Sequence, residues 1–203
     1  LRVVGFFLAA CAACAATGRA QAPAAAAKPR ASGERLKLTT SDGVTLAAWY
    51  YAAAKPDDEA PAAPVVILLH ELDGSHESVE PLAGALQDRG IAVVAPDLRG
   101  HGATLSPKGQ AADAKSLKKD DFERMTLTHG GRVRDDAADI GDVEAVRNWI
   151  RQQAEKRKLA PERLVVVGSG VGAVVGAQWI CNDARWPPLT TGPQGGEVRG
   201  LVM

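Results

Sequence analysis

Aromatic side chains are scarce in this chain of 203 residues, at 4 %. Any core must therefore rest on Val, Leu, Ile and the plentiful Ala. Net charge is missing as well, since 24 Lys and Arg balance 24 Asp and Glu. That balance supplies no field for nucleic acid or an anionic membrane surface, and neither is expected as a partner. The three cysteines, Cys11, Cys14 and Cys181, give no disulfide framework for a folded domain. Cys11 and Cys14 form C-x-x-C in an Ala-rich stretch without a βαβ pattern, so no redox or zinc role is expected there. Cys181 stands among apolar neighbours in a helical pattern and reads as a small core residue. The N-terminal apolar run, residues 3–13, is too short to span a bilayer. There is no internal repeat. All four histidines, His70, His76, His101 and His129, lie in the first two thirds of the chain.

What is present at the N-terminus has the layout of a targeting segment. Arg2 precedes the apolar run, and small residues follow it. Leu8-Ala9-Ala10-Cys11 resembles a bacterial lipobox, in which Cys11 would become the lipidated N-terminus. Ala20-Gln21-Ala22 fits the small-x-small site of ordinary signal peptidase. Residues 1–22 are thus expected to be a signal peptide or lipoprotein signal. The protein is expected to be exported, with membrane contact only through a lipid on Cys11. Leu1 in place of Met points to an alternative start codon or an upstream piece. Residues 23–33, rich in Ala and Pro, read as a flexible linker. Residues 34–203 read as one domain.

The periodicity within that domain is mixed. Leu36, Leu38, Val44 and Leu46 alternate with polar or small residues around Ser41-Asp42-Gly43, which predicts a hairpin. Residues 55–63 read as a charged, Pro-bounded loop. Val65-Val66-Ile67-Leu68-Leu69 and Ile91-Ala92-Val93-Val94-Ala95 are continuous apolar runs, the pattern of strands covered on both faces. Between them residues 77–89 predict a helix with Val79, Leu82, Ala83 and Leu86 on its buried face, stopped by Gly90. Residues 98–132 are a long polar connection with room for a short helix over 115–124. A helix is predicted from Asp135 to Arg157, its acidic start suiting the helix dipole and Val143, Val146, Ile150 and Ala154 following its period. Residues 164–167 are a third buried strand, 172–181 a helix, and 198–203 a further strand within which the sequence stops.

The most informative absence sits between that third strand and its helix. Residues 164–176 read Leu-Val-Val-Val-Gly-Ser-Gly-Val-Gly-Ala-Val-Val-Gly. A strand, a tight glycine turn and a small-residue helix are the setting of the nucleophile elbow, G-x-S-x-G. Aligned on Gly168 and Gly172, the central position is Gly170. With no side chain there, no covalent nucleophile can occupy it. Using Ser169 instead puts Val167 and Val171 where the glycines belong. Gly170 has a structural sense too, because the elbow holds its central residue at positive φ, which costs a non-glycine about 1–3 kcal/mol. The backbone N–H groups of Val171 and of Leu72 remain as oxyanion-type donors near a helix N-terminus.

Three segments together resemble the α/β-hydrolase superfamily, most closely its esterase, lysophospholipase and serine-aminopeptidase branch. They are Leu68-Leu69-His70-Glu71-Leu72-Asp73-Gly74-Ser75 after the third strand, Pro96-Asp97-Leu98-Arg99-Gly100-His101-Gly102 after the fourth, and the elbow. The resemblance implies an α/β fold in three layers. Its sheet would have an N-terminal antiparallel hairpin, then parallel strands, and would be cut after about the sixth strand. It also implies structural roles for His70 and His101, an acid and a histidine downstream of the nucleophile, and ester, thioester or peptide-type substrates. Beyond Gly170 this chain holds Asp183 and Glu197 but no histidine, so no triad is expected. His70, Glu71 and His76 do not have metal-site spacing, and neither metal nor cofactor is expected. Several readings stay open: a catalytically defective exported protein, an ester or peptide hydrolase whose sequence continues past Met203, or a protein that binds a small carbonyl or anionic ligand without cleaving it. A fourth is dinucleotide binding, because Gly168-Ser169-Gly170-Val171-Gly172-Ala173 also satisfies G-x-G-x-x-A.

Overall fold

A computed structural model of the chain describes residues 33–54, 61–111, 113–128, 140–156, 158–185 and 196–203. The expected targeting segment with Cys11 and Cys14, nearly all of the linker, residues 55–60, His129 and residues 186–195 lie outside the described residues. The strands are β1 (Glu34–Thr39), β2 (Thr45–Tyr51), β3 (Ala63–Leu69), β4 (Ala92–Pro96), β5 (Leu159–Gly168) and β6 (Val198–Val202). Among the described residues the helices are α1 (His76–Gln87), α2 (Lys119–Met125), α3 (Asp142–Glu155) and α4 (Val171–Ala184), with a 3-10 turn at Ala114–Ser116.

The strands form one sheet in the order β1-β2-β4-β3-β5-β6. β1 and β2 pair antiparallel around the turn at Asp42 and Gly43, and β2 pairs antiparallel with β4. From β4 through β3 and β5 to β6 the pairing is parallel. This is the expected mixed sheet, antiparallel at its start and parallel beyond. Because side chains alternate across a strand, β3 feeds two cores. Val65, Ile67 and Leu69 join the larger one with α3 and α4, while Val66 and Leu68 join the smaller one with α1. Each such fully buried aliphatic side chain is worth about 1.5–3 kcal/mol. That explains why β3 and β4 read as unbroken apolar runs.

Two buried ion networks position the upper loops. Arg99 donates from Nε and Nη2 to Asp142 Oδ1 at 2.9 and 2.6 Å and from Nη1 to Asp42 Oδ2 at 2.8 Å. Burial pushes the Asp42 carboxyl up, but the hydrogen bonds from Arg99 and Thr40 outweigh it and hold the group well below the usual carboxylate range. The second network locks α4 to α3. Arg147 donates to Glu144 Oε1 at 2.5 Å and forms a short ion pair with Asp183. Trp179 Nε1 donates to Glu144 Oε2 at 3.2 Å.

Several expectations are corrected here. The third helix starts at Asp142, with residues 140 and 141 outside it and 135–139 outside the described residues. Its acidic first turn is more than a dipole effect, since Asp142 and Glu144 are buried partners of arginine. Leu82 is 44 % exposed, because α1 turns Ala83 and Gln87 inward instead, and Gln87 Nε2 donates to Ala52 O. Cys181 is exposed: Val174, Gln178 and Cys181 share the outward face of α4, while Gly172, Ala173, Val175, Gly176 and Trp179 face in. β5 is longer than residues 164–167, reaching back to Leu159 past a register shift opposite Pro64 and Val65.

Candidate functional site at the glycine elbow

The turn from β5 into α4 is an elbow in the geometric sense. Gly170 has φ 53° and ψ −119° and precedes the first residue of α4. Gly172 N–H donates to Ser169 O at 2.9 Å and Ala173 N–H to Gly170 O at 3.2 Å, which tightens the corner. The flanking glycines are demanded by close approach. A Cβ on Gly168 would lie 2.5 Å from the amide nitrogen of Ala173, and one on Gly172 2.5 Å from Leu69 O. No other residue fits either position without moving backbone.

The loop after β3 lies directly against this corner. Ser169 N–H donates to Leu69 O at 3.0 Å, which fixes β3 and the elbow side by side. His70 is buried at the root of the loop. Leu98 N–H donates to its Nε2 at 3.0 Å, so Nε2 carries no proton. Nδ1 must carry it, and donates to Glu71 O at 2.7 Å. Burial lowers the His70 pKa, the hydrogen bond to Glu71 O opposing it, and the ring is a neutral strut of the loop. Gly74 N–H also donates to Glu71 O, at 3.0 Å, and Asp73 sits at φ 62°. The loop is a tight, strained turn pinned from below.

Glu71 is the side chain this loop places over the elbow. A Cβ on Gly170 would lie 3.3 Å from Glu71 Cβ. Ser169 Oγ donates to Glu71 Oε2 at 3.3 Å. Leu72 follows, 45 % exposed. Neither its amide nor that of Val171 makes a hydrogen bond among the described residues. Val171 also lines an apolar cleft of about 560 Å³ between α2 and α4, with Phe122, Leu127, Val174 and Val175.

The remaining candidate groups are engaged elsewhere. Asp97 is fully buried and accepts from His76 N–H at 2.7 Å, His76 Nδ1 at 3.0 Å and Ala103 N–H at 2.8 Å. The His76 ring stacks on Trp49 at 3.3 Å between centroids. His101 Nδ1 donates to Arg99 O at 2.9 Å. The two acids beyond the elbow both answer arginines of α3: Asp183 pairs with Arg147, and Glu197 with Arg151 at 3.1 Å. Among the described residues no group of His, Cys, Asp and Glu could hold a metal ion, and no helix is long and apolar enough to cross a membrane.

The sequence profile of the alpha/beta hydrolase family matches residues 66–202. The chain belongs to that family. One solved structure agrees on the fold, and two others stand beside it for likeness alone. A highly thermostable carboxyl esterase from Bacillus coagulans superposes with a TM-score of 0.53 at 15 % identity, covering 77 % of this chain and 42 % of that one. An epoxide hydrolase from Vigna radiata gives 0.47 at 21 % identity, covering 73 % and 34 %. The 2,6-dihydroxy-pseudo-oxynicotine hydrolase gives 0.47 at 18 %, covering 73 % and 33 %. This alpha/beta hydrolase chain thus spans between a third and two fifths of the length of those proteins. No protein of curated function matches it in sequence. Sequence reasoning read the elbow and its glycines but weighed Glu71 only as a metal ligand, with His70 and His76. The available signal was a Glu after His70, in a loop that must approach the elbow backbone.

Proposed function

We propose that this chain is an exported, non-acylating alpha/beta hydrolase, whose elbow binds a small ligand without attacking it. One observation carries the reading. The corner from β5 to α4 has the positive-φ geometry of a nucleophile elbow, and the residue at its apex is Gly170. Sequence continuing past Met203 could supply an acid and a histidine. It could not supply a side chain at position 170, so the reading does not depend on where the chain ends. The amides of Leu72 and Val171 suit a carbonyl oxygen, which polarised N–H donors hold without chemistry. The carboxylate of Glu71 beside the corner favours that neutral carbonyl over an anion.

The test is acylation. Purified protein should take up no fluorophosphonate probe and should hydrolyse p-nitrophenyl esters no faster than buffer. Stoichiometric labelling that maps to any serine, Ser169 above all, refutes the reading. Gly170→Ser alone should not restore turnover, since a base and its orienting acid are still required.

A further inference from the structure

We propose that Glu71 is the specificity-determining residue of the elbow: it crowds the apex where a nucleophile's side chain would sit and sets the sign of charge there. The inference rests on the non-acylating reading, and it adds which ligands the corner admits.

The placement is built, not incidental. The carbonyl of Glu71 receives two hydrogen bonds, from His70 Nδ1 at 2.7 Å and from Gly74 N–H at 3.0 Å. With that carbonyl held, the Glu71 Cβ stays over Gly170, where an added Cβ would come within 3.3 Å. The Ser169 hydroxyl then directs Oε2 back onto the turn at 3.3 Å. The helix N-terminus of α4 would by itself favour an anion. A full negative charge a few ångströms away outweighs the half-charge of the helix end. No Lys or Arg occurs from residue 61 to residue 88, while across the cleft that Val171 lines stand Lys119 and Glu123, one of each sign. The elbow is therefore matched to an uncharged group that offers a carbonyl oxygen to the two amides and an N–H to Glu71, such as a carboxamide. Carboxylates and phosphates are turned away.

A thiol placed at the corner reads this directly. The probe is Gly170→Cys in a chain whose three native cysteines are Ser. It is labelled with an ethylammonium methanethiosulfonate and its ethylsulfonate counterpart, with rates taken from intact mass and normalised to free cysteine. The cationic reagent should react about five-fold faster or more, and the preference should collapse in Glu71→Gln. Equal rates, or a preference that Glu71→Gln leaves unchanged, overturn the proposal. If circular dichroism shows that Gly170→Cys does not fold, Ser169→Cys takes its place, because its side chain already meets Glu71 Oε2. Thiol labelling reports charge and fluorophosphonate labelling reports acylation, so the two proposals fail separately.

Discussion

Arg147 offers the sharpest test of how the elbow is held. Its side chain is 3 % exposed, and the partner carboxylates of Glu144 and Asp183 are 0 % and 4 % exposed. Arg147→Met keeps much of the volume and the packing on Trp179 while removing the charge. Two buried carboxylates would then lack their cation, each keeping one weaker donor: Trp179 Nε1 for Glu144, and Gly196 N–H at 3.0 Å for Asp183. Breaking one side of a buried ion group costs about 3–5 kcal/mol. In a domain of this size that lowers the melting temperature by about 6–20 °C. Urea and thermal unfolding followed by circular dichroism measure both. The matched control is Arg147→Met with Glu144→Gln and Asp183→Asn, which removes all three charges and leaves each amide able to accept the same N–H. It should recover to within about 1 kcal/mol of the parent. A single variant that loses less than about 1 kcal/mol would refute the reasoning. So would a triple variant as damaged as the single one.

Four other outcomes follow from the same geometry. Gly102→Ala should destabilise by about 2 kcal/mol or more in urea titration, because at φ 52° its Cβ would overlap Asp97 Oδ2, which holds Ala103 N–H. Stability should fall as pH drops below about 6.5, because the unfolded chain takes a proton that buried His70, with its lowered pKa, refuses; in His70→Gln that part of the slope should vanish. If Cys11 is lipidated, the mature protein begins there and its mass shifts on globomycin treatment, whereas an unmodified terminus near Pro23 shows ordinary signal-peptidase cleavage and a retained Leu1 refutes export. β6 pairs with β5 on one side and, among the described residues, with no strand on the other, so the 203-residue chain should self-associate in sedimentation across a concentration series; a monomer at high micromolar concentration would contradict an open edge.

Fold was legible where one physical cause dominated. The apolar runs at residues 65–69 and 91–95 and the strand before the elbow can only be strands covered on both faces, and Asp42-Gly43 can only be a turn between alternating runs. What escaped the sequence were residues whose role depends on a partner far along the chain. Asp142 and Glu144 look like ordinary first-turn acids until Arg99 and Arg147 are seen beside them. Cys181 looks apolar by its neighbours Ile180 and Trp179, yet a helix separates adjacent residues by about 100°, and its own face is the exposed one. Leu82 failed for another reason: on α1 the polar Gln87 took the inner position by bonding to Ala52 O, and Leu82 fell at the exposed margin of that face.

The elbow shows the limit of reading one position at a time. In sequence, Gly170 leaves the turn without a nucleophile and spares it the strain of positive φ. In the folded chain two costs oppose a serine there. A serine would carry the strain of φ 53°, about 1–3 kcal/mol. Its Cβ would also press on Glu71 Cβ at 3.3 Å, and Glu71 cannot retreat freely while its carbonyl is tied to His70 and Gly74. Glycine at 170 and glutamate at 71 are thus mutually adjusted, one giving the room that the other uses. On the proposed reading such a corner holds a hydrogen-bonding surface in place of an attacking group, and a variant meant to acylate would need a changed loop after β3 as well as a new apex.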